Sequence, residues 1–129
     1  WPNVITYNAA ISACEKGARW HEALGMVWDM RLRGPQPDLI TYNAAISACG
    51  KGARWREALG MFFVLRLSRL VPSAITYNAA ISACEKGARW HEALGLVWDM
   101  RLRGPQPDLI TYNAAISAYG KGARWREAV

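Results

Sequence analysis

The chain repeats itself every 35 residues. The segment Ile5-Thr6-Tyr7-Asn8 returns at Ile40, Ile75 and Ile110 with no insertion between copies. An unbroken period of this length constrains the fold more than any local signal. A unit this small cannot bury its own apolar faces, so neighbouring units must stack into one continuous core. The repeats span 4–38, 39–73 and 74–108, a partial repeat covers 109–129, and residues 1–3 read as the tail of a preceding unit. The first and third repeats differ only at Val4/Ala74 and Met26/Leu96, and the second and fourth only at Cys49/Tyr119 and Leu59/Val129. A two-repeat block has been duplicated, so recurrence of a residue does not by itself argue for its importance.

Each repeat reads as two helices. Val4, Tyr7, Ile11 and Cys14 mark one apolar face of a first helix, spaced at helical intervals. Asp38 stands where a carboxylate can cap the first helix of the next unit. Gly17 is expected to end that first helix in the left-handed conformation. A second helix is predicted from about Arg19 to Leu32, with the apolar stripe Trp20, Ala23, Leu24, Val27 and Met30. Gly34-Pro35-Gln36-Pro37 breaks the chain before the next unit. The expected fold is therefore all-α, an α-solenoid of helix-turn-helix repeats.

Sixteen Lys and Arg against ten Asp and Glu give a net charge of +6, which favours an anionic partner. No apolar run is long enough for a membrane span, and no membrane partner is expected. Cys14, Cys49 and Cys84 occupy one equivalent position. Equivalent stacked helices lie roughly 8–10 Å apart, beyond the reach of about 7 Å between Cα atoms of an unstrained disulfide. Tyr119 in the fourth slot breaks any metal set. The cysteines are expected to be buried apolar residues in a reducing compartment. His21 and His91 exchange with Arg56 and Arg126, as an exposed polar position does. No nucleotide-binding loop, Cys-x-x-C pair or deaminase signature occurs. Neither an enzyme, a small-molecule substrate nor a cofactor is expected.

Tyr7-Asn8, Glu22-Ala23-Leu24 and Pro37-Asp38, carried on a uniform 35-residue unit, give the chain its resemblance to the pentatricopeptide repeat family, in its pure P-type form. The resemblance covers essentially the whole chain. It implies a right-handed superhelix that binds single-stranded RNA, one base per repeat, in mitochondrion or plastid, for RNA processing, stability or translation. The tetratricopeptide class, a peptide-binding scaffold with a 34-residue period, is the alternative. The chain departs from the family at Arg69 and Ser73, where the first repeat has Gly34 and Asp38, and at Trp28, Phe63 and Trp98, where the family carries a polar residue.

Transferred residue by residue, the resemblance makes Ile5, Ile40, Ile75 and Ile110 aliphatic wedges between bases. It makes Asn8 with Asp38, Asn43 with Ser73, Asn78 with Asp108, and Asn113 the base-selecting positions. The amide of Asn offers both a donor and an acceptor to a base edge. Asn implies a pyrimidine. The carboxylate of Asp38 or Asp108 favours uracil, and Ser73 favours cytosine, so the expected site is 5′-U-C-U-Y-3′. Asp38 and Asp108 carry two readings, helix cap and base contact, and both can hold. Lys16, Lys51, Lys86 and Lys121 are either phosphate contacts or cations complementing a helix C-terminus. Arg19, Arg54, Arg89 and Arg124 are expected to be solvated. Trp20, Trp55, Trp90 and Trp125 are expected in the core rather than as stacking platforms. Trp1 in place of Met, and an end at Val129 within a helical pattern, suggest a piece of a longer array whose uncapped ends favour self-association.

Overall fold

The computed structural model describes residues 3–127, with side chains described to residue 122; the side chains of Arg124, Trp125 and Arg126, and Val129 as a whole, lie outside the described residues. Seven helices follow one another: α1 (Val4–Lys16), α2 (Trp20–Arg33), α3 (Leu39–Lys51), α4 (Trp55–Leu67), α5 (Ala74–Lys86), α6 (Trp90–Arg103) and α7 (Leu109–Glu127). No strand occurs among the described residues.

The start of each first helix is set by a side chain. Asn3, Asp38, Ser73 and Asp108 accept from the backbone N–H of Thr6, Thr41, Thr76 and Thr111, at 2.9, 3.0, 3.4 and 2.9 Å. The threonines of the last three reciprocate by accepting the cap residue's own N–H. Two otherwise orphaned donors are thereby satisfied at each of these three helix starts.

The end of each first helix corrects an expectation. Gly17 is not left-handed, with φ at −90°. The left-handed residue is the following alanine: Ala18, Ala53 and Ala88 have φ of 55°, 58° and 55°. Arg19 N–H bonds back to Cys14 O at 2.8 Å and Ala18 N–H to Glu15 O at 3.2 Å, the paired bonds that close a helix around a left-handed residue. The glycine has another task. A β-carbon on Gly52 would sit 2.6 Å from Cδ1 of Trp20, one repeat earlier, and one on Gly87 would collide with Trp55. Packing between repeats needs the missing side chain, so the strained backbone angle falls on alanine.

Ile11, Ala23, Val27 and Met30, with their counterparts Ile46, Ala58, Phe62, Leu65, Ile81, Ala93, Val97 and Met100, form a continuous core, closed by Tyr42 and Tyr77. Cys14, Cys49 and Cys84 are buried and unbridged. Burial pushes the Cys49 and Cys84 thiols up to about 12, which suits apolar packing rather than metal ligation. No His, Cys, Asp and Glu grouping among the described residues could hold a metal ion. No helix described is long and apolar enough to cross a membrane.

The first helices touch one another in series, α1 to α3 to α5 to α7. The second helices stand further apart: among the described residues no Cα atom of α2 comes within 8 Å of one in α4, nor one of α4 within 8 Å of one in α6, and a long side chain such as Arg66 spans the gap to Asp99. Each second helix wedges instead between two first helices. The closer approach of the first helices bends the stack toward their side, which makes α1, α3, α5 and α7 the lining of the concave face. The second helices carry an exposed apolar ridge outside, Trp28 with Leu32, Phe63 with Leu67, and Trp98 with Leu102. α7 runs on through Gly122 and Ala123, where α1, α3 and α5 have ended at the equivalent lysine.

Candidate nucleic-acid interface

Four isoleucines stand out from the first helices. Ile5, Ile40, Ile75 and Ile110 are 77, 65, 68 and 68% exposed. Burial does not account for an aliphatic side chain left in water once per repeat. One turn further along each helix comes the asparagine. Asn8, Asn43 and Asn78 are half-buried and Asn113 is exposed.

The asparagines are tied to the repeat that follows. Thr41 Oγ1 donates to Asn8 Oδ1, Thr76 to Asn43 and Thr111 to Asn78, each at 2.5 Å. That separation falls within the range of O–H···O bonds and below that of N–H···O bonds. The amide therefore turns its oxygen to the threonine and its NH2 away. One lone pair of the amide oxygen is thereby engaged by the threonine, and the NH2 is the group turned outward.

The last residue of each repeat lies in the same junction. Asn8 Nδ2 donates to Asp38 Oδ1 at 3.1 Å, so the fifth and last residues of the first repeat touch directly. The same Oδ1 takes the Thr41 N–H, leaving Oδ2 outside these bonds. At Asp38 partial burial raises the carboxyl pKa, but the bonds from Thr41 and Asn8 outweigh it and hold the group below its ordinary value. At Asp108 the Thr111 backbone N–H and hydroxyl lower it in the same sense. Both residues are acceptors at neutral pH. Ser73 meets Asn43 through Thr76, its hydroxyl 3.1 Å from Thr76 Oγ1.

The four lysines are not equivalent. Lys51 Nζ lies 2.9 Å from Glu15 of the preceding repeat, and Lys121 lies 3.0 Å from Glu85. Ser47 and Ser117 bond to the same carboxylates at 3.1 Å. Gly50 occupies the glutamate position before Lys86. No ion pair involves Lys16 or Lys86 among the described residues. The alternation of Glu15, Gly50, Glu85 and Gly120 was visible in the sequence and was the signal that the lysines alternate too. Positive charge on this face thus has a period of two repeats.

The arginines at the start of the second helices are not simply solvated. Arg54 stacks 4.4 Å from the centroid of Trp20, and Arg89 stacks 4.5 Å from that of Trp55. Each also pairs with a glutamate one turn on, Arg54 with Glu57 at 2.9 Å and Arg89 with Glu92 at 3.0 Å. Trp20, Trp55 and Trp90 are half-buried against the core. A tryptophan held against the next repeat's glycine and under its arginine serves the packing between repeats. A second junction contact joins Arg66 to Asp99 and to Tyr77, whose hydroxyl also bonds Asp99 at 2.7 Å.

The sequence model of the PPR repeat family matches residues 2–62 and 72–128. The crystal structure of the pentatricopeptide repeat protein PPR10 from maize is similar over 99% of this chain, with a TM-score of 0.82 and 31% identity. PPR10 in complex with an 18-nucleotide psaJ RNA element is similar over 98% of the chain, with a TM-score of 0.61 and 23% identity. The chain spans 18% and 24% of the length of those two chains. No curated protein sequence matches it.

Proposed function

We propose that this chain, which belongs to the pentatricopeptide repeat family, binds single-stranded RNA along its concave face, one base per repeat. The observation that carries the reading is the ladder itself. An exposed isoleucine, an asparagine donor and an Asp or Ser recur at every junction, on the face where the first helices meet. An aliphatic wedge can pack on any base, and the polar pair beside it can discriminate.

The outward Asn amide donates to a carbonyl oxygen, which uracil and cytosine share. Asp38 and Asp108, acceptors only, favour the ring N–H of uracil. Ser73 keeps a rotatable proton for the bare ring nitrogen of cytosine. The expected order is 5′-U-C-U-Y-3′, the last base read by Asn113 alone. Lys16 and Lys86 meet phosphates, and Lys51 and Lys121 do so less, because Glu15 and Glu85 already neutralise them. The chain acts as a binder without catalysis, in an organelle, mitochondrion or plastid, where it serves RNA processing, stability or translation. Its last described repeat also offers a surface for a second copy. Tyr112 and Ile116 are 41% and 68% exposed, where the equivalent Tyr77 and Ile81 are 1% and 0%.

Titrating labelled UCUU, AAAA, UCUU as DNA and a blunt RNA duplex at low salt tests the reading. Tighter binding of UCUU RNA than of the other three is expected. Equal binding of AAAA would sink the base assignment. Binding of none of them, with retention of an acidic or apolar peptide, would point to the tetratricopeptide-like alternative.

A further inference from the structure

We propose that Thr76 is a positioning residue that decides which hydrogen-bonding face Asn43 shows to the RNA, so that base choice by one repeat is set partly by the next. This rests on the reading of Asn43 as a base-selecting residue. Thr76 is fully buried and never reaches the groove. Its hydroxyl accepts the Ser73 N–H at 3.0 Å and donates to Asn43 Oδ1 at 2.5 Å. One side chain therefore closes the helix cap and orients the amide.

The three junctions are not held alike. At the first, Asn8 is fixed twice. Thr41 donates to its oxygen, and Asp38 takes its NH2 at 3.1 Å. Turning that amide over would set its oxygen against a carboxylate at hydrogen-bond distance, which repels. At the second junction Ser73 stands in the place of the aspartate and has no such veto, because a hydroxyl can donate or accept. Thr76 alone decides there. Without its hydroxyl the Asn43 amide can present either end, and a donor-only reader becomes an indifferent one.

The test compares the whole chain carrying Thr76→Val, Thr76→Ser or Thr41→Val with the unsubstituted chain. Valine keeps the shape and removes the hydroxyl, and serine keeps the hydroxyl. Two readouts are taken. The first is heteronuclear relaxation of the Asn43 side-chain amide in the free protein. It should be rigid in the unsubstituted chain and in Thr76→Ser, and mobile in Thr76→Val. The Asn8 amide should stay rigid in Thr41→Val.

The second readout is competition among tetranucleotides that differ only at their second base. Thr76→Val should reduce the preference for pyrimidine over purine there by about fivefold, the worth of one hydrogen bond, and leave the other positions alone. Thr76→Ser should retain it. A purely structural role predicts something else: equal weakening for every base at every position. That result, or an Asn43 amide that stays rigid in Thr76→Val, overturns the proposal. Should the unsubstituted chain bind no single-stranded RNA, the proposed function fails on its own. A mobile Asn43 amide would then still support the positioning role, and a rigid one would still refute it.

Discussion

Gly52 lies against the indole of Trp20 with no room between them for a methyl group. A β-carbon at Gly52 would come 2.6 Å from Cδ1, whereas one at Gly17 meets nothing nearer than 3.7 Å. The same residue type in the same local sequence therefore carries a different constraint at the two positions. Gly52→Ala should cost about 1–3 kcal/mol, as overpacking does. Gly17→Ala should fall within about 0.5 kcal/mol of the unsubstituted chain, as surface changes do. Urea denaturation of the two variants side by side measures the difference. Equal effects would mean that the glycines serve their own helix ends and not the contact between repeats.

Arg69 carries the opposite problem. It sits at φ 64°, a conformation that crowds any side chain with a β-carbon. Its N–H bonds to Arg66 O at 2.9 Å and Leu70 N–H bonds to Leu65 O at 3.3 Å, so the helix end needs this angle. The first repeat has Gly34 at the equivalent place, also at positive φ. Arg69→Gly should stabilise the chain by about 0.5–1 kcal/mol, net of the freedom glycine adds to the unfolded state. A lower thermal midpoint in Arg69→Gly would show that the arginine side chain makes a contribution larger than the strain it brings.

Acid should weaken the stack. Lys51 holds the Glu15 carboxyl below its ordinary value, and Arg54 does the same to Glu57. At Asp38 and Asp99 partial burial pushes upward, but bonds from Thr41 and Arg66 outweigh it. A carboxyl more acidic folded than unfolded adds stability that is complete above its unfolded pKa. That stability is lost as pH falls through the folded value. Unfolded carboxyls titrate near about 4, so stability should hold from about pH 7 to 5 and drop below about 4. Denaturation midpoints at pH 7, 5 and 3 measure it. A midpoint that rises on acidification would contradict the signs assigned to all four groups.

The salt dependence of RNA binding should report two lysines rather than four. Full engagement of all four would give a slope of log affinity on log salt of about −2 to −3, at about 0.7 per phosphate on a single strand. With Lys51 and Lys121 neutralised by Glu15 and Glu85, a slope of about −1 to −1.5 is expected. Glu15→Gln keeps an oxygen for Ser47 and frees Lys51, and should steepen the slope by about 0.7. Gly50→Glu should flatten it by giving Lys86 a partner. The nearest atoms across the repeat junction to a β-carbon at Gly50 are those of Ala83 and the Ala79 carbonyl oxygen, at ordinary contact distance. A slope unmoved by either change would remove Lys51 and Lys86 from the phosphate path.

What the sequence showed and what it hid divide along distance in the chain. The period, the helix pairs, the buried stripe of Ala23, Val27 and Met30, and the caps at Asp38 and Asp108 depend on neighbours within a few residues, and all were legible. The task of Gly52 was not, because propensity points to a left-handed helix end and the indole that needs the space belongs to another repeat. Arg54 was read as solvated for the same reason: its partner ring is on Trp20. The orientation of Asn8 depends on Thr41, at a separation of 33 residues, and no rule about one helix reaches that far. In a solenoid the repeat length is also the distance at which unread contacts begin.

Ser73→Asp isolates base choice from folding. Ser and Asp cap a helix about equally well, and Asp38 shows how the substituted residue would sit. There the carboxylate takes the threonine N–H at 3.0 Å and the asparagine NH2 at 3.1 Å. The variant should therefore keep the unsubstituted chain's stability and turn the second junction into a copy of the first. Its acceptor-only edge would face the bare ring nitrogen of cytosine with repulsion and the ring N–H of uracil with a hydrogen bond. The preference at the second base should move from cytosine toward uracil by about 1 kcal/mol, the exchange of one base-edge hydrogen bond. The neighbouring bases should be read as before. Competition among the four tetranucleotides that vary only at that base measures the shift. A variant that melts like the unsubstituted chain and leaves the base preference where it was would remove Ser73 from the readout and break the assigned register.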